Sequence, residues 1–161
     1  MVTFYGNYTM ITGKLQGLFN SVLAGMNASI GNLVAEGHEW NIRKVFWEYA
    51  TFRYWTTGTI VIVLAFLFDP IISWWVGPQY IIRHHLVGLI ILNMYITLTR
   101  PSVDLFINAY GLYDDIWSAY AEGLINLFVT IIFGYFYGLL GILLGKAVSM
   151  LLIVVIWKPY Y

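Results

Sequence analysis

Charge is nearly absent from the long apolar stretches of this chain, and that scarcity limits its fold more than any motif does. From Ile116 to Gly145 a single charged residue, Glu122, interrupts the run. Over all 161 residues, 60% are hydrophobic and 10% charged, against about 45–50% and about 25% in soluble domains. A water-soluble fold of this size keeps roughly 30% of its unfolded surface exposed and could not hide so much apolar area. A soluble enzyme, a nucleic-acid binder and a disordered tail are therefore disfavoured, and an integral membrane protein is expected. Lys+Arg equals Asp+Glu at eight each, so no basic field recruits nucleic acid.

A spanning helix needs about 20 residues, which leaves room for about five spans and short loops. The expected fold is an all-α, polytopic transmembrane helix bundle, a single membrane domain over 1–161. Its spans are placed near 5–35, 53–76, 85–110, 117–137 and 139–157. Between the first two, Ile42, Val45, Phe46 and Tyr49 recur at helical spacing, with Glu39, Arg43, Lys44 and Glu48 on other faces. That pattern predicts an interfacial amphipathic helix over about 38–50. Gly13, Gly17, Gly25 and Gly31 make the first span the least apolar, and they predict surroundings of protein rather than lipid. Trp157-Lys158-Pro159-Tyr160-Tyr161 reads as an interface anchor.

Orientation follows from basic residues near the span ends. One side collects Arg43, Lys44, Arg53 and Lys158; the other has Arg83 beside His84-His85. The positive-inside rule puts the first group, and the C-terminus, in the cytoplasm. A first span that starts outside suggests a piece of a longer protein.

Polar groups at bilayer depth are costly, so their placement is informative. The third span carries Asn93, Thr97, Arg100, Asp104 and Asn108 at steps of three or four, which predicts one shared face. The fourth carries Ser118, Glu122, Asn126 and Thr130, and the first Thr9, Thr12, Gln16, Asn20 and Asn27, with Lys14 to one side. Arg100 precedes Pro101, which removes a backbone donor in mid-span. Two readings of Arg100 stand side by side: contact with an anionic headgroup, or an internal pair with Asp104 or Glu122. Lys14 has the same two readings. Lys146 is expected to snorkel, and Gly141, Gly145 and Ser149 form a small-residue ridge for packing within the chain or for a dimer face. No metal-ligand spacing, placed nucleophile or glycine-rich phosphate loop is present. With no cysteine there is no thiolate site either. No enzyme, cofactor or metal is expected.

Several segments resemble one family. Asn7–Gly37, ending Ala28-Ser29-Ile30-Gly31-Asn32-Leu33-Val34-Ala35-Glu36-Gly37, is similar to the second helix of the C-terminal lobe of polysaccharide flippases. These are the Wzx-type oligosaccharide repeat-unit translocases of the multidrug/oligosaccharidyl-lipid/polysaccharide exporter superfamily. Arg100-Pro101-Ser102-Val103-Asp104 through Tyr110-Gly111-Leu112-Tyr113-Asp114-Asp115-Ile116-Trp117 looks like the tenth helix and following turn. Ala121-Glu122-Gly123-Leu124-Ile125-Asn126-Leu127 and Phe133-Gly134-Tyr135-Phe136-Tyr137-Gly138-Leu139-Leu140-Gly141-Ile142-Leu143-Leu144-Gly145 look like the eleventh and twelfth.

The resemblance implies part of one lobe of a two-lobe flippase in the bacterial cytoplasmic (inner) membrane. Its partners would be a missing N-terminal lobe of the same protein, membrane lipid, and an undecaprenyl-diphosphate-linked oligosaccharide for surface polysaccharide or O-antigen biosynthesis. Transport would proceed by alternating access around a cationic cavity. The expected substrate-binding residues are Arg100, Lys14, Asp104, Asn108, Glu122, Asn126, Asn93, Gln16 and Asn20. Two rivals remain: a multidrug or organic-cation antiporter of the same superfamily using Glu122 or Asp104, and a non-transporting membrane assembly protein.

Overall fold

The computed structural model describes residues 2–112 and 116–152; the Asp114-Asp115 turn and the expected anchor at 157–161 lie outside them. The described residues form α1 (Val2–Ala24), α2 (Met26–Glu36), α3 (Glu39–Trp75), α4 (His84–Thr99), α5 (Pro101–Ala109), α6 (Ile116–Tyr137) and α7 (Leu139–Leu151), with one 3₁₀ turn at Pro78–Tyr80 and no strand. The fold is all-α. Among the described residues three helices are long and apolar enough to cross a membrane: Glu39–Trp75, the α4–α5 pair His84–Ala109, and Ala119–Tyr137. The first expected span does not qualify, because its apolar faces are broken by Asn7, Thr9, Thr12, Lys14, Gln16 and Asn20. α7 is described for thirteen residues only.

The interfacial helix expected at 38–50 is not a separate element. Residues 39–75 form one continuous helix. No proline or turn residue separates the two parts, and their apolar positions share one register. Ile42, Tyr49, Arg53, Thr57, Leu64, Phe68 and Ile72, at steps of seven and four, are all buried along a single stripe of α3. At 1.5 Å per residue α3 is about 55 Å long, more than the roughly 30 Å hydrocarbon core. Trp55 and Trp74, both largely exposed, stand about 28 Å apart along its axis. That separation suits two aromatic anchors at opposite interfaces.

Two apolar clusters hold the helices together. The larger joins α1, α3, α4 and α7 through Tyr8, Phe68, Ile72, Ile90, Met94 and Leu143. The smaller joins α2, α3 and α5 through Ile30, Ile42, Tyr49 and Phe106. α6 and α7 form a tight hairpin that turns at Gly138, whose φ of 60° and ψ of −133° lie where residues with a side chain are strained. Gly141, Gly145 and Ser149 are buried, and the two glycines lie against α6 at Phe133 and Thr130. The small-residue ridge thus serves packing within the chain. The α1 and α2 glycines differ: no described atom lies within 4 Å of the place a Cβ would take at Gly13, Gly17, Gly25 or Gly31. Among the described residues they bring no second helix close.

Candidate functional site

Pro101 divides the third expected span into α4 and α5. Its ring cannot donate to the carbonyl four residues back and crowds it, so the turn around Leu98–Arg100 opens. The five-residue polar stripe divides there as well. Above the break, Asn93 Nδ2 donates to the Leu89 carbonyl (2.9 Å) and the Leu143 carbonyl (3.1 Å), and Thr97 lies 3.9 Å from Met150 Sδ. These two groups face α7 and bind helices together. Below it, Asp104 and Asn108 face α1 and α3.

At the break, Arg100 is held by two carboxylates. Its Nε donates to Asp104 Oδ2 at 3.1 Å, and its Nη1 lies 2.7 Å from Glu122 Oε2 and 2.8 Å from Oε1. The internal-pair reading of Arg100 is therefore realised with both acids at once, tying α4 and α5 to α6. All three side chains are more than two-thirds buried. A double-mutant cycle of Arg100→Met with Glu122→Gln should give a coupling of about 1–2 kcal/mol in thermal unfolding, the upper range for polar pairs between membrane helices. Additive single effects would mean that the pair does not form.

One turn beyond the break, a cavity of about 250 Å³ opens between α1–α2, α3 and α5. Its polar lining is Asn20, Asn27, Tyr49, Arg53, Asp104 and Asn108. Arg53, 2% exposed, anchors it. Its Nε donates to the Leu98 carbonyl in the opened turn, its Nη1 to Tyr49 Oη at 2.7 Å, and its Nη2 to Asn20 Oδ1 at 2.7 Å. The guanidinium also lies over the rings of Phe19 and Tyr49, where an aromatic face stabilises a cation. Three helices thus converge on one planar fork, a geometry that Lys cannot supply.

Of the nine expected binding residues, the structure brings Asn20, Asp104 and Asn108 to this cavity, with Arg100 and Glu122 adjoining it through Asp104. Asn126 accepts a hydrogen bond from Thr130 at 2.8 Å on α6. Asn93 is buried between α4 and α7. Gln16 is half-buried outside the cavity lining, and Lys14 lines a different groove. Sequence reading missed Arg53 and Tyr49 as site residues because it counted Arg53 among exposed cytoplasmic cations. A signal was present: Arg53 follows Tyr49 by one turn and lies on the apolar stripe of Ile42, Leu64 and Phe68. Groups of three or more His, Asp or Glu that could hold a metal are absent among the described residues.

No family model, curated protein or solved structure matches the chain.

Proposed function

We propose that this chain forms part of a flippase for undecaprenyl-diphosphate-linked oligosaccharides in the bacterial cytoplasmic membrane, with the cavity beside Arg53 receiving the polar headgroup. The observation that carries this reading is the cavity's lining. Three carboxamides, Asn20, Asn27 and Asn108, present paired donors and acceptors beside a fixed guanidinium. Carboxamides suit sugar hydroxyls and a guanidinium suits phosphate oxygens. Arg53 lies within one turn of Trp55 on α3, so the cavity is level with an interface, where a headgroup would enter. With Arg53 and Arg100 set against Asp104 and Glu122, recognition would rest more on hydrogen bonds than on a strongly cationic cavity. The antiporter reading is less well supported, since both candidate carboxylates bond Arg100.

The cytoplasmic side remains the end that carries Arg43 and Lys44. The burial of Arg53 weakens the positive-inside count, and Lys158 lies outside the described residues. Deleting the gene in its host should deplete surface polysaccharide several-fold and make undecaprenyl-diphosphate-linked oligosaccharide accumulate. Asn27→Leu or Asn108→Leu at normal protein level should do the same. Unchanged polysaccharide and unchanged intermediates in the deletion strain would overturn the proposal.

A further inference from the structure

α7 packs on two neighbours and leaves the arc between them open. Gly141 and Gly145 lie against α6 at Phe133 and Thr130. Toward α4, the Leu143 carbonyl accepts from Asn93, and Met150 lies beside Thr97. At 3.6 residues per turn, Ile142 and Lys146 fall on the short arc between those two sets, and both are exposed. Val148, Leu151 and Leu152, exposed on the opposite arc, are all apolar. α7 thus turns hydrocarbon side chains outward and its lysine toward the space between α4 and α6. The Lys146 ammonium has no ion pair, hydrogen bond or ring contact among the described residues.

Its depth follows from the α6–α7 contact. Thr130 lies opposite Gly145, so Lys146 is level with about residue 129, near the middle of the apolar span Ala119–Tyr137. It stands about 12 Å along the axis from the turn at Gly138. Side chains on a helix tilt toward its N-terminus, here that turn, but a four-carbon stem covers only about half the distance. The snorkelling expected of Lys146 therefore falls short of the interface, and an ammonium at hydrocarbon depth requires an anion. Glu122 of α6 lies about 10 Å along the axis toward the other end and already bonds Arg100.

A second copy of the chain offers no suitable carboxylate. Glu36, Glu39 and Glu48 lie near Arg43 and Lys44, at one end of the bundle. Asp69 faces His84 at the opposite end, and Asp104 and Glu122 hold Arg100. Asp114 and Asp115 fall between spans in the sequence. A two-fold contact through this face would instead set Lys146 beside Lys146. We infer that the side of α7 between α4 and α6 docks a membrane-spanning helix of a partner protein, whose carboxylate at mid-bilayer pairs with Lys146. Ile142, one turn toward Gly138, gives that helix an apolar contact. The interface rests on the membrane reading of the fold and not on translocation.

The test is association of the purified full chain with synthetic leucine-alanine spanning helices in phosphatidylcholine vesicles, read by energy transfer between dyes. One probe helix carries Glu at its centre, a second Gln at the same place, and a third Glu near one end. The central-Glu helix should bind about tenfold tighter than either of the others, the scale of a polar pair between membrane helices. Lys146→Met should remove that preference, Lys146→Arg should keep it, and Lys44→Met, at an interfacial cation, should leave it unchanged. Equal binding of the central-Glu and Gln helices by the unmodified chain overturns the inference, and this comparison needs no variant to fold. Equal binding of the end-placed Glu helix overturns it too, since the ammonium would then sit at the interface. A preference that survives Lys146→Met has the same consequence. Failure here with an accumulating deletion strain would remove the docking face and leave the proposed function standing.

Discussion

Replacing Gly141 with alanine should separate α6 from α7 and lower the chain's thermal stability by about 3 kcal/mol, the upper end of overpacking costs in well-packed cores. A Cβ at Gly141 would collide with the Phe133 carbonyl oxygen and carbon. Both are backbone atoms of α6, so no side chain can swing aside to make room. Gly145→Ala should cost less. Its nearest obstacle is the Thr130 hydroxyl at 2.7 Å, backed by Thr130 backbone atoms at 3.0 Å. Gly134→Ala, where the added Cβ would meet only Ile142 Cγ1 at 3.4 Å, serves as the mild control. Thermal unfolding of the three variants in one detergent should rank them in that order. Equal midpoints for Gly141→Ala and Gly134→Ala would mean that the hairpin is not packed through this ridge.

That ridge shows what was legible in the sequence. A four-residue repeat of small residues states a close approach, and the hairpin between α6 and α7 follows from it together with the turn at Gly138. The all-α membrane fold was legible for a similar reason, since burial in lipid is a property of composition and run length. The glycines of α1 state the same kind of approach, yet no described helix comes near them. A small residue permits a neighbour without specifying which one.

The site was harder to read, because its geometry depends on where helices break. Spacing alone put Asn93, Thr97, Arg100, Asp104 and Asn108 on one face. Pro101 removes a backbone donor in mid-span, and on either side of that break the lower two residues face α1 and α3 while the upper two face α7. The boundary of α3 had the same kind of consequence. Starting a span at 53 makes Arg53 an exposed end residue. Starting the helix at Glu39 makes it an interior one, because Ile42 and Tyr49 then extend the buried stripe past it.

Arg53 is accordingly the second position where a large effect is expected. Arg53→Met should destabilise the chain by about 3–5 kcal/mol, the order of the hydrogen bonds from a charged donor that it removes. Three charge-assisted hydrogen bonds, ordinarily about 1.5–3 kcal/mol each, would be lost together. The methionine would leave the Leu98 carbonyl and the Asn20 carboxamide oxygen without the donor they now share. Because those acceptors lie on α4 and α1 and the arginine on α3, the loss would loosen the junction between the two apolar clusters. Arg53→Lys should recover little, since one ammonium on a flexible stem cannot reproduce the planar fork. Hydrogen exchange at the amides of Ile96–Arg100 should rise in both variants, a local readout that a general loss of surface charge would not produce. Were Arg53 instead a solvated interfacial cation, Arg53→Met would leave the midpoint unchanged and alter only the positive-inside balance. Thermal unfolding of this single variant therefore distinguishes a cavity anchor from a topology signal.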